Sequence, residues 1–240
     1  MKTLAISTLA VLSASLISAA EPVLSQQERD HAIQLLRDSK TEFLNLTSGL
    51  SESQWTYKPA PDRWSVGETA EHIVLAEGLL FSKLKEAMAN PPNPDWEAKT
   101  AGKAEFIERV MPDRSHKAQA PEPIQPHEKW TQEETIARYK EVRARTLKVI
   151  NDADTPLKSH TSEHPAAVFG TLNAYQWLIY IPLHNIRHNQ QIAEVKSCPG
   201  FPKRNRDSHL WVKIFGRGLF VLRWLSKNSR TKTEERGIQP

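Results

Sequence analysis

A single cysteine, Cys198, in a chain of 240 residues excludes an internal disulfide and any cysteine-based zinc site. A metal, if bound, must be held by histidine and carboxylate side chains. Cys198 has no helix N-terminus and no fixed base beside it to activate the thiol, so it reads as a helix-end residue rather than a nucleophile. Alternating apolar and polar residues are also missing, which argues against a sheet-built fold. Excess charge is lacking too. The net charge of +4 comes mostly from 205–240, where Arg206, Lys213, Arg217, Arg223, Lys227, Arg230, Lys232 and Arg236 outweigh Asp207, Glu234 and Glu235. Residues 21–204 are close to neutral, so the basic balance does not point to nucleic acid.

Apolar stretches stand near both ends. Met1-Lys2 is followed by apolar residues from Leu4 to Ile17 and by small residues at Ser18-Ala19-Ala20. This layout predicts a secretory signal peptide over 1–20, cleaved after about Ala20, and export to a periplasmic or secreted location. The run is short for a membrane span. Near the other end, Lys213, Arg217 and Arg223 interrupt the run Leu210–Leu225. The extension 205–240 therefore reads in three ways. It packs on the main domain, forms a tail without a role, or lays a basic amphipathic helix on an anionic membrane surface through 208–227.

Between these ends, in 21–204, the periodicity is helical. Ala32, Leu36, Ser39, Phe43, Leu46 and Leu50 recur at four–three spacing and predict a helix over 28–50. Ser65-Val66-Gly67-Glu68 is a capping box that opens a second helix, running through Met88 to the Pro91-Pro92 pair. Thr131-Gln132-Glu133-Glu134 is another, with Tyr139, Val142, Thr146 and Val149 as the seam behind it and Asn151-Asp152 at its end. A fourth helix is predicted from Thr171 to Lys196, before Pro199-Gly200. Four amphipathic helices predict an all-α, up-down four-helix bundle. The connection 89–130 holds seven of the sixteen prolines and a candidate short helix near Ala98–Val110. It is long enough for a crossover that sets the third helix parallel to the second, or for a lid over one end.

Three of the nine histidines are the main candidates for chemistry. His184 and His188 stand at i and i+4, one turn apart on one helix face, where both rings can reach a single ion at about 2.0–2.1 Å. Such pairs also occur as surface or hydrogen-bonded core histidines. His72 lies two turns into the second helix, on the stripe of Leu75, Ala76 and Leu79, where a buried imidazole needs a partner. A metal held between facing helices supplies one, and a backbone carbonyl or carboxylate is the alternative. Pro182 removes one helical hydrogen bond near Leu178 and either kinks the fourth helix or marks where a helix restarts. His160 and His164 share the same spacing, but prolines and serines around them predict a loop with no common face. His31, His116, His127 and His209 lie on polar or irregular stretches and read as solvated.

The stretch Arg63-Trp64-Ser65-Val66-Gly67-Glu68-Thr69-Ala70-Glu71-His72-Ile73 resembles the start of the second helix of the DinB-like superfamily. Phe169-Gly170-Thr171-Leu172, with Tyr180 through Ile192, is similar to that family's fourth helix, and the likeness spans about residues 26–202. The resemblance implies a bundle with one crossover, frequent homodimers, and a divalent metal site made by His72, His184 and His188. Three neutral imidazoles leave positions open for water or substrate and suit zinc, nickel or iron. Helix spacing makes Tyr180, Gln191 and Glu68 candidate supports of the ligands, although Glu68 has the alternative role of closing its capping box. Arg187 points off the ligand face, toward a carboxylate elsewhere. The resemblance implies a metal-dependent enzyme acting in thiol transfer, or a non-catalytic metal-binding, stress-associated module; the expected export, away from cytosolic thiols, points instead to activation of water for hydrolysis. No residue stands out as an independent general base.

Overall fold

A computed structural model describes residues 23–115, 119–127, 130–152 and 156–203. The predicted signal peptide, the extension 205–240, His116 and His209 lie outside the described residues. Four long helices form the body: α1 (Gln26–Thr47), α3 (Val66–Ala89), α6 (Gln132–Asn151) and α7 (Ala174–Ser197). Short helices α2 (Glu52–Trp55), α4 (Trp96–Thr100) and α5 (Lys103–Val110) and a 3-10 turn at Glu122–Ile124 fill the connections. Among the described residues no helix is long and apolar enough to cross a membrane.

Each long helix begins where a side chain takes up its unsatisfied N–H groups. Ser25, Ser65, Thr131 and Asn173 are N-caps, each with a reciprocal capping box to the residue three positions on. The boxes at Ser65 and Thr131 are those the sequence predicts. Ser25–Glu28 starts α1 two residues earlier than expected, and α1 ends at Thr47, so Leu50 falls beyond it. The fourth helix starts at Asn173 because Thr171–Asn173 belongs to a strand, β2, paired antiparallel with β1 (Thr161–Glu163). The expected loop is thus a short hairpin, turned through Gly170 at φ 56°. The predicted helix near Ala98–Val110 is divided into α4 and α5 by Gly102 at φ 70°. α7 runs unbroken through Pro182, so no new helix starts there.

The apolar core is in two parts, and their order along each helix gives the topology. One part takes Ala32 and Leu36 early in α1, Leu80 and Leu84 late in α3, Ile150 at the end of α6, and Trp177 to Leu183 early in α7. The other takes Phe43 late in α1, Val66 to Val74 early in α3, Tyr139 in α6, and Ile192 and Val195 late in α7. α1 and α7 therefore run one way and α3 and α6 the other. Packing joins α7 to α1 and α3, and α6 to α3 and α1. Because α3 and α6 are parallel, the chain between them must return along roughly 36 Å, the length of a 24-residue helix. That return is the crossover among the sequence-based alternatives.

A polar layer separates the two apolar parts. Arg143 on α6 is fully buried, and all five of its N–H donors are used. Its Nε and Nη2 donate to Glu77 of α3 at 2.7 and 2.9 Å. Nη1 donates to the Leu36 carbonyl and Ser39 Oγ of α1 at 2.6 and 2.7 Å, and Nη2 donates to Asn185 Oδ1 of α7 at 3.0 Å. Tyr139 OH also donates to Asn185, and Asn185 donates to Asn189, which in turn donates to the Ser39 carbonyl and to Glu42. Burial alone would lower the Arg143 pKa, but Glu77 and then Tyr139 beside it raise it, so the guanidinium stays charged. The α6 seam is accordingly Thr135, Tyr139, Arg143, Thr146 and Ile150, not the expected line through Val142 and Val149. Leu79, expected on the inner stripe of α3, is 38% exposed, and Glu77 takes the inward position.

Removing one partner of a buried pair leaves the other charge uncompensated. Arg143→Met is expected to cost about 3–5 kcal/mol of unfolding free energy in urea denaturation, with much of it recovered in Arg143→Met/Glu77→Leu. A single-variant loss under about 1 kcal/mol would contradict this account of the layer.

Candidate metal centre

The three histidines predicted from sequence meet on the flank of the polar layer. Their ligand atoms all lie within 4.8 Å of one another. His72 Nε2 is 3.1 Å from His188 Nε2, and the ring of His184 is 5.3 Å from that of His72 and 4.5 Å from that of His188, centre to centre. The sequence His184-Asn185-Ile186-Arg187-His188-Asn189 explains the placement. Two amides at the same i, i+4 offset as the histidines, displaced by one residue, anchor the core face of α7 and turn the imidazoles toward α3.

Hydrogen bonds fix which nitrogen two of the rings offer. His72 Nδ1–H donates to the Ile124 carbonyl at 2.7 Å, and His188 Nδ1–H donates to Gln191 Oε1 at 2.9 Å. Both Nε2 atoms then carry lone pairs and face each other at 3.1 Å. Two such lone pairs repel unless a cation lies between them. At a metal–nitrogen distance of about 2.05 Å, that separation subtends about 98° at the ion, within reach of tetrahedral geometry. Burial, and then His72, push His188 down to about 3. Burial also lowers His72. His184 keeps some surface exposure, yet desolvation by surrounding protein, followed by His188 and His72, lowers it well below the ordinary range. All three are therefore neutral ligands at neutral pH. The donor set fits a divalent ion, and His184 is the least buried of the three ligands.

The other predicted residues are dispersed around this centre. Gln191 touches His188 as described. Glu68 accepts from the Ser65 N–H at 2.7 Å, closing the capping box, and pairs with Lys58 at 2.6 Å. Tyr180 packs its ring among His164, Phe169 and Trp177, and burial pushes its hydroxyl up to about 12, so it stays protonated. Arg187 donates to the carbonyls of Met111 and Asp113 in the crossover. His160 and His164 part company. His160 Nδ1–H donates to the Asn90 carbonyl at 2.6 Å, while His164, expected in a loop, stacks on Trp177 at 5.1 Å and is half-buried. His127 is exposed, and His31 is paired with Glu108 at 2.8 Å. Cys198 caps the end of α7, with its thiol 3.4 Å from the Glu194 carbonyl.

Sequence reasoning missed the contribution of the crossover connection. Ile124 holds His72 through a backbone carbonyl, which no side-chain pattern reveals. Trp64, just before the Ser65 cap, lays its ring 4.9 Å from that of His72. Arg114 reaches Gln191 and Glu194 from the same connection.

Known proteins place this geometry in context. The chain is 27% identical over 164 residues to the uncharacterized protein YuaE of Bacillus subtilis (strain 168), covering 68% of this chain and 95% of that protein. Its fold is similar to the solved structure of YfiT from Bacillus subtilis, with a TM-score of 0.50 and 14% identity, covering 72% of this chain and 88% of that one. YfiT is described as a probable metal-dependent hydrolase with an unusual four-helix bundle topology. The family model of the DinB superfamily matches residues 35–192, a span containing all four bundle helices in large part and the whole three-histidine cluster, and the chain belongs to that superfamily.

Proposed function

We propose that the protein is a metal-dependent hydrolase in which His72, His184 and His188 hold one divalent ion, with zinc, nickel or iron as the suited metals. The observation that carries this reading is the pair of Nε2 lone pairs held 3.1 Å apart by hydrogen bonds at both Nδ1 atoms. When bound, the ion supplies Lewis acidity to a water or to a substrate carbonyl or phosphoryl oxygen. The chain's own residues hold the rings of His72 and His188 in one tautomer, and His184 is the least buried of the three. Trp64 and Ile124 cover His72 and limit water on its flank. The description of YfiT supports hydrolysis as the reaction class. The expected signal peptide favours it over thiol transfer, because low-molecular-weight thiols are chiefly cytosolic.

Protein purified without chelators is expected to carry about one divalent ion per chain by elemental analysis, and His188→Ala to carry almost none. Absence of stoichiometric metal in the wild type would end the metal reading. Hydrolysis of ester, amide or phosphoester model substrates is expected to vanish with a chelator and return with zinc, nickel or iron. A metal-loaded protein inactive on all three classes would instead favour a non-catalytic metal-binding module. For export, N-terminal sequencing of protein recovered outside the cytosol is expected to begin near Glu21, and an intact Met1 there would refute cleavage.

A further inference from the structure

Gln191 Oε1 accepts from two sides: from His188 Nδ1–H at 2.9 Å and from Arg114 Nη1 at 3.3 Å. Arg114 arrives from the crossover connection and is gripped by Glu194, with Nε and Nη2 donating to the two carboxylate oxygens at 2.7 and 2.8 Å. Nη1 also lies 3.5 Å from the Arg187 carbonyl. The hydrogen bond from Arg114 in turn holds the Glu194 carboxyl below its ordinary range. The group facing Gln191 is thus fixed in place and can only donate.

A primary amide has two faces, and which one meets His188 decides where that ring carries its proton. With Oε1 toward the ring, Nδ1 bears the hydrogen and Nε2 keeps its lone pair. With Nε2 of the amide toward the ring, Nδ1 must accept, and the hydrogen moves to the imidazole Nε2, the atom 3.1 Å from His72. That second arrangement would also aim an amide N–H at a guanidinium, donor against donor. We propose that Arg114 is a positioning residue that locks the His188 tautomer by permitting only the oxygen of Gln191 to face it, with Glu194 holding Arg114 in register. The consequence for metal affinity rests on the three-histidine reading above, whereas the tautomer does not.

The sign of the effect separates this role from simple electrostatics. Removing a positive charge near a cation site should strengthen metal binding, whereas losing a tautomer lock should weaken it. Glutamate at 191 provides a control, because a carboxylate accepts from His188 whichever way it turns and makes the lock dispensable. The test uses the full chain as wild type, Arg114→Met, Gln191→Glu and the double variant. Imidazole 15N NMR of the metal-free proteins is expected to show His188 as the Nδ1–H form in wild type, a mixture in Arg114→Met, and Nδ1–H again in the double variant. By chelator competition, zinc affinity is expected to fall about 10–100-fold in Arg114→Met, yet less than about threefold between Gln191→Glu and the double variant. An unchanged tautomer in Arg114→Met, a rise in its zinc affinity, or an equal loss in both backgrounds would overturn the proposal. If wild type shows the expected tautomers but takes up no zinc, the lock stands and the metal reading fails.

Discussion

Everything in the bundle is arranged around one guanidinium. Arg143 bonds to groups on the other three long helices at once, so the relative height and rotation of all four are set at a single level. An ion pair with Glu77 is a costly device in an apolar interior, where several kcal/mol of desolvation per ion must be offset by geometry. Here the bidentate contact and the complete use of donors provide that offset. The return is specificity: slipping any helix by one turn would leave a buried charge without its partner, a penalty that hydrophobic seams alone do not impose.

The candidate metal centre depends on the same layer. Asn185 and Asn189 commit one face of α7 to the polar network, and the neighbouring residues, His184 and His188, then have a fixed direction. His72 is likewise just over one turn before Glu77 on α3. The ligands are therefore aimed by the network rather than by local loop structure, which suits the ångström-scale tolerance of a coordination site. The crossover closes the arrangement from outside through Ile124 and Arg114.

The parts of this design that the sequence revealed are those with a local signature. The boxes at Ser65 and Thr131 gave two helix starts; the His184/His188 spacing and His72 offered candidates, which the resemblance to the DinB-like superfamily joined into one cluster. The parts it concealed depend on partners distant in the chain. Arg143 occupies a seam position that hydrophobicity assigns to Val142, because a charged residue reads as solvent-facing until Glu77, Ser39 and Asn185 are known to surround it. Leu79 was placed inside by the converse error. The strands β1 and β2 are three residues each, too short for alternation to register, and the face that His164 presents to Trp177 was hidden because its stacking partner lies on another element. The helix directions followed from the layout of the core, not from any one helix's pattern.

The parallel placement of α1 beside α7 has a further meaning for how the molecule is made. α1 finds its main neighbour only when the last described helix has been synthesised, and His72 meets His188, 116 positions further along the chain. Closing a loop of that length costs about 4 kcal/mol in chain entropy. On loop-closure grounds the histidine cluster is expected to form after the local helices, once α3 and α7 have both been made. An ion shared across it would act as a clasp on this long loop, absent from early folding and released early in unfolding. Metal loading would then slow the opening of the folded protein more than it would speed its formation.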